Sequence, residues 1–131
     1  MPQPRPFRVL VVDDYPDTAD ATVQLTELYG YEARAACSCR EALAVVAAGF
    51  TPDVVLLDLL LSDGDGYALA ADLCAALPRR PVLVAITGQH DQDERCRAAG
   101  IDHTLLKPAD PQRLRVRLDG YAARIADESG G

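Results

Sequence analysis

The 131-residue chain is 49% hydrophobic and 25% charged, the composition of one globular domain with a real core and not of a disordered segment. Its net charge of −7 would repel a phosphate backbone, so direct nucleic-acid binding is not expected. The longest apolar stretches are about five residues, far short of the ~18 that cross a bilayer, and the start lacks a hydrophobic signal core. A cytoplasmic chain without membrane contact is the expectation.

Residues 1–6 hold three prolines and are expected to form a flexible tail. The first apolar run, Val9–Val12, is continuous and mostly β-branched, as in a parallel strand buried on both faces. A helix is predicted from Pro16, suited to a first turn, to Tyr29, with Gly30 as its stop. Glu32–Ala36 is more polar and reads as an edge strand. Ser38 with Glu41 three residues later forms a capping-box pattern for a helix over 38–48, ended by Gly49. Val54–Leu57 is a second buried strand. A helix from Gly66 to Leu77 stops at Pro78, and Val82–Ile86 is a third buried strand. A weaker helix covers 91–99, and Thr104–Leu106 is a short strand. The last helix starts at Asp110-Pro111 and repeats Leu114, Leu118 and Ile125 at helical spacing. Residues 127–131 are expected to fray, which gives one domain over 7–126.

This order is β-α five times over. Short links between alternating elements imply a parallel sheet with helices on both faces. The common doubly wound order for five units is 2-1-3-4-5. It places the least apolar runs, 31–36 and 102–106, on the edges. The four cysteines, at 37, 39, 74 and 96, fit no zinc-ligand spacing and read as reduced structural thiols.

In such sheets ligands bind beyond the carboxyl ends of the strands. There the chain carries Asp13-Asp14, Asp58, Thr87-Gly88 and Lys107-Pro108. Carboxylates converging from adjacent central strands resist joint ionisation unless a cation joins them, and Mg²⁺ prefers oxygen ligands. The set suits phosphoryl transfer: Asp58 as nucleophile, Asp13 and Asp14 toward a metal, Thr87 and Lys107 for the phosphoryl oxygens.

Five segments, Val11-Val12-Asp13-Asp14, Leu56-Leu57-Asp58, Asp65-Gly66-Tyr67, Ile86-Thr87-Gly88 and Leu106-Lys107-Pro108, together resemble the receiver domain of two-component response regulators. The resemblance covers about residues 7–125 and implies a flavodoxin-like fold. It further implies a switch in which Asp58 takes a phosphoryl group from a phosphohistidine on a histidine kinase or phosphotransfer protein. Mg²⁺, or Mn²⁺, would be held by Asp14, Asp58 and the backbone carbonyl of Leu60. The peptide before Pro108 would be cis, and Thr87 would move toward the phosphoryl group and bias the face made by the fourth helix, last strand and fifth helix. Slow self-dephosphorylation would be tuned by Leu60 and Gln89. The module would act as a monomer or weak homodimer. Its output would be protein binding or onward phosphotransfer, with the downstream target open.

The chain departs from the family pattern in places. The switch aromatic is replaced by Thr104, beside His103, and Ser62 stands where a proline is frequent. The acidic loop 62–66 reads as solvated and flexible, with Asp63 and Asp65 able to add metal affinity. The stretch Gly100-Ile101-Asp102-His103 is more like receivers attached to hybrid kinases. His90 and His103 read as surface residues, His103 with a candidate tuning role, and Arg113, Arg115, Arg117 and Arg124 as a solvated face. An aspartyl phosphohydrolase would need a second acid two residues after the nucleophile, where Leu60 stands, so the chain is not expected to be an enzyme. The remaining alternative is a pseudo-receiver that binds partners without phosphorylation.

Overall fold

The computed structural model describes residues 7–88, 93–107 and 110–130. In chain order the elements are β1 (Arg8–Val12), α1 (Pro16–Leu28), β2 (Glu32–Ala36), α2 (Cys39–Ala47) and β3 (Val54–Asp58). Then come β4 (Leu60–Leu61), β5 (Gly64–Asp65), α3 (Gly66–Ala76), β6 (Val82–Thr87), α4 (Asp93–Ala98), β7 (His103–Leu106) and α5 (Pro111–Gly130). The main sheet runs β2-β1-β3-β6-β7, all parallel, which is the expected 2-1-3-4-5 order of the five large strands. The two-residue strands β4 and β5 form a small antiparallel hairpin between β3 and α3, where the sequence suggests only a loop.

The continuous apolar runs are explained by two cores, one on each face of the sheet. Side chains of a strand alternate between faces. Leu10, Val12, Val55, Leu57, Leu83 and Ala85 pack on one side against Ala42 and Val46 of α2, Leu69 and Leu73 of α3, and Cys96 of α4. Val9, Val11, Val54, Leu56 and Val84 pack on the other against Ala19 of α1 and Leu114, Leu118 and Tyr121 of α5. The central strand β3 is buried throughout, whereas β2 and β7 are only partly covered, as edge strands should be.

Local chemistry sets the helix ends. Ser38 Oγ accepts from Glu41 N at 3.0 Å at the start of α2. Asp65 Oδ1 accepts from Tyr67 N at 2.7 Å at the start of α3, and Asp110 Oδ1 from Gln112 N at 2.9 Å at the start of α5. Gly30 and Gly49, at φ 97° and 109°, end α1 and α2 in the left-handed region that glycine enters without steric cost. The backbone of α5 stays helical to Gly130, past Ala126, where the sequence reading ends the domain. All four cysteines are free thiols. Among the described residues no helix is long and apolar enough to cross a membrane.

Candidate functional site

Parallel pairing places the C-terminal ends of β1, β3 and β6 side by side. The register runs Val12↔Leu57↔Ala85 across the three strands, so the next residues of each project from one edge. Asp58, the last residue of β3, is only 7% exposed. Its Oδ1 accepts from Leu60 N at 3.1 Å and its Oδ2 from Lys107 Nζ at 2.8 Å. Lys107 follows β7 and is tied back by its own N–H to the Thr87 carbonyl at 2.8 Å. That bond fixes the Lys107 backbone at the end of β6, and the side chain reaches past β6 to Asp58 of β3. Partial burial pulls the Lys107 pKa down, but the hydrogen bond that Lys107 donates to Asp58 and the charges of Asp58 and Asp13 together outweigh it and raise it above its ordinary value. Lys107 is therefore a fixed cation at any physiological pH.

Asp13 is buried at the end of β1, and its Oδ1 accepts from Tyr15 N at 3.0 Å, just before α1. Asp14 is half-buried and reaches the hairpin, where its Oδ1 accepts from Ser62 N at 3.0 Å. Each carboxylate is thus turned toward a backbone amide. Among the described residues no three His, Cys, Asp or Glu side chains close on a common point as a metal cage would. Thr87 is buried at the end of β6. Asp14, Asp58, Leu60, Thr87 and Lys107 all line one open cleft of ≈ 690 Å³. Within it Leu60 is 75% exposed, an apolar side chain standing in solvent at the rim.

Gly66 is a steric requirement of this arrangement. A Cβ there would lie 2.6 Å from the Asp58 carbonyl oxygen and 2.7 Å from Leu59 Cα. Gly66 N donates to the Leu59 carbonyl at 3.1 Å, so α3 begins against the strand end that carries Asp58.

The cleft also contains Arg95 of α4, which the sequence reading leaves out, and Tyr67 of α3, which that reading names only within the Asp65-Gly66-Tyr67 segment. The Arg95 guanidinium lies 4.2 Å over the Tyr67 ring and 3.7 Å from Asp65 Oδ2. Nothing in linear spacing marks Arg95; it enters because α4 docks beside α3, where Cys96 is buried and its Sγ lies 4.0 Å from Tyr67 Oη.

The acidic loop differs from its expected flexible, solvated state. Asp63 accepts from Cys39 N at 2.8 Å and Arg40 N at 3.1 Å, capping α2 jointly with Ser38. Those two backbone hydrogen bonds hold its carboxyl below the usual carboxylate range. Asp65 caps α3 and faces Arg95. The two acids close helix ends, because free N–H groups at a helix start are strong partners for a nearby carboxylate.

Thr104 pairs with Ala85 in the sheet, and strand alternation puts it on the opposite face from His103 and Leu105. His103 stacks on Tyr121 of α5 at 5.4 Å, with Arg117 Nη1 3.4 Å from its Nδ1. Of the arginines read as one solvated face, Arg115 instead covers Tyr29 at 5.3 Å and pairs with Asp119 at 3.8 Å. Gln89, His90 and Pro108, with its expected cis peptide, lie outside the described residues, as does the 1–6 tail.

Comparison with known proteins agrees with this geometry. The model of the response regulator receiver domain family matches residues 9–119. The chain is a response regulator receiver domain. This receiver is 38% identical over 128 residues to the virulence sensor protein BvgS of Bordetella bronchiseptica, covering 92% of this chain and 10% of that protein. It is 31% identical to the response regulator MprA of Mycolicibacterium vanbaalenii, covering 95% of this chain and 54% of that protein. The receiver therefore spans about a tenth to a half of the length of these relatives. In fold it is similar to a two-component response regulator from Clostridium difficile, with a TM-score of 0.82, 24% identity, and coverage of 91% of this chain and 98% of that one. The flavodoxin-like architecture and the place of this receiver in two-component signalling follow.

Proposed function

We propose that this receiver is a phosphorylation switch in which Asp58 accepts a phosphoryl group from a phosphohistidine on a histidine kinase or phosphotransfer protein. The observation that carries the reading is the buried Asp58 carboxylate held by Lys107 at 2.8 Å, at the edge of an open cleft. A carboxylate oxygen of Asp58 attacks phosphorus, the P–N bond breaks, and its electron pair returns to the imidazole. The equatorial oxygens gather negative charge as this happens. Lys107 and the Thr87 hydroxyl are placed to meet that charge, helped by the Leu60 amide that already faces Asp58 Oδ1.

The donors suit a hard divalent cation. Asp13, Asp14 and Asp58 bring three acids to one sheet edge, where Lys107 pairs with Asp58, and a divalent ion would relieve the repulsion that remains. Mg²⁺ retains several waters and needs few protein oxygens. Asp14, Asp58 and the Leu60 carbonyl would hold it, with Asp13 acting through water. When bound it would neutralise the charge on the transferring group.

The module modifies itself and turns over no separate substrate, and its output is a change in protein binding or onward transfer. Leu60 at the cleft mouth is placed to slow water attack on the aspartyl phosphate. The test is intact mass after incubation with Mg²⁺ and acetyl phosphate. Wild type should gain one phosphoryl group, and Asp58→Asn none. Equal masses with and without phosphodonor would leave an interaction module with an inert site.

A further inference from the structure

We propose that Arg95 is a second phosphoryl-binding cation, which turns from Asp65 to the acceptor when Asp58 is phosphorylated and carries the state of the site into α4. The inference rests on the reading of Asp58 as acceptor. Arg95 lines the same cleft as Asp58, Thr87 and Lys107. The carboxylate that it faces, Asp65, is 3.7 Å away, and both side chains are at least half exposed. That separation is too long for a hydrogen bond, and exposed pairs of this kind hold weakly. The guanidinium carbon lies 4.2 Å from the Tyr67 ring centroid, a cation–π contact that spends none of its N–H donors on a hydrogen bond to the ring's hydroxyl.

The present partner of Arg95 lies beside Asp58 in the fold. Asp65 pairs with Leu60 across the hairpin, and Gly66, the next residue, abuts the Asp58 carbonyl. A phosphoryl dianion offers three oxygens and a larger charge than the Asp65 carboxylate, and guanidinium binds such groups in a bidentate fork. The ring of Tyr67 is a platform on which the guanidinium can slide without losing its contact. Cys96, beside Arg95, is buried against Tyr67, so α4 meets the site at two successive residues. This link offers coupling to α4 in a chain that has Thr104 in place of the switch aromatic.

The test compares wild type, Arg95→Gln, Arg95→Lys and Arg97→Gln, the last an exposed residue of the same helix. Phosphorylation by acetyl phosphate with Mg²⁺ is followed by mass, and the Arg95 Nε–H resonance is followed as beryllofluoride is added. Loss of one partly exposed donor predicts phosphorylation about tenfold slower in Arg95→Gln, partial rescue by Arg95→Lys, no change in Arg97→Gln, and a shifted Nε–H signal. Wild-type phosphorylation with an equally fast Arg95→Gln overturns the role of Arg95 alone. A slow Arg95→Gln with an unmoved Nε–H signal in wild type overturns the contact and leaves Arg95 a structural residue. Wild type that gains no phosphoryl group overturns the acceptor reading and this inference with it.

Discussion

At the scale of single residues, position in a strand predicts chemistry well, and position on a helix does so poorly. Asp58, Thr87 and Lys107 each end or follow an apolar run, so the sheet delivers them to one edge once its order is known. Arg95 and Tyr67 sit on helices whose rotation about their own axes is fixed only by docking. His103 shows the same limit. Linear adjacency to Thr104 suggests a part in the switch, yet alternation turns His103 to the α5 side, onto Tyr121. Burial there lowers its pKa, and the neighbouring Arg117 and Arg124 charges add to this, against the opposing charge of Asp102. The unfolded chain therefore binds the proton more readily than the folded one, and stability is full above the ordinary histidine value of 6.5 and falls as pH drops through it. Urea midpoints should decline from pH 7 to about 5 in wild type and decline less in His103→Gln. An imidazole that titrates by NMR at or above the ordinary value would contradict this.

At the scale of elements, the hairpin β4–β5 is the main addition to the sequence reading. Its two-residue strands are too short to give an alternating pattern, so only its Gly and Asp content was visible, and this reads as a loop. The hairpin is held from outside itself: Ser62 N by Asp14, and Asp63 by the first amides of α2. Asp63 thereby joins the hairpin that follows Asp58 to α2. Asp63→Asn should leave the fold intact while raising hydrogen exchange at the Cys39 and Arg40 amides, as can be read by NMR. Because those bonds hold the Asp63 pKa low, the anchoring is complete above the ordinary value of 3.8 and is lost as pH falls through the depressed one. Ser38, by contrast, was legible as a cap because its partner lies only three residues away. Its replacement by Ala should cost about 1 kcal/mol, measurable as a lower urea midpoint.

At the scale of the whole molecule, the stability of the fold and the strand-end site draw on different parts of the chain. The two cores flank a fully buried β3, and Leu118, 0% exposed, is a main contact between α5 and the sheet. Leu118→Ala should cost about 2–5 kcal/mol in unfolding free energy by removing packed volume between α5 and the sheet. Phosphoryl uptake measured well below the unfolding transition should nonetheless persist, because Asp58 and Lys107 are held from the strand ends. The sequence by itself determined the element order, the two-faced sheet, the family resemblance and the strand-end acids, because those follow from local periodicity and from residues at fixed offsets. Only the tertiary structure decided which acids face the cleft and which cap helices, that His103 and Thr104 lie on opposite faces, and that Arg95 lines the same cleft as Asp58. Those outcomes depend on how helices dock and where loops fold back, and contacts between residues distant in the chain are written in no local pattern.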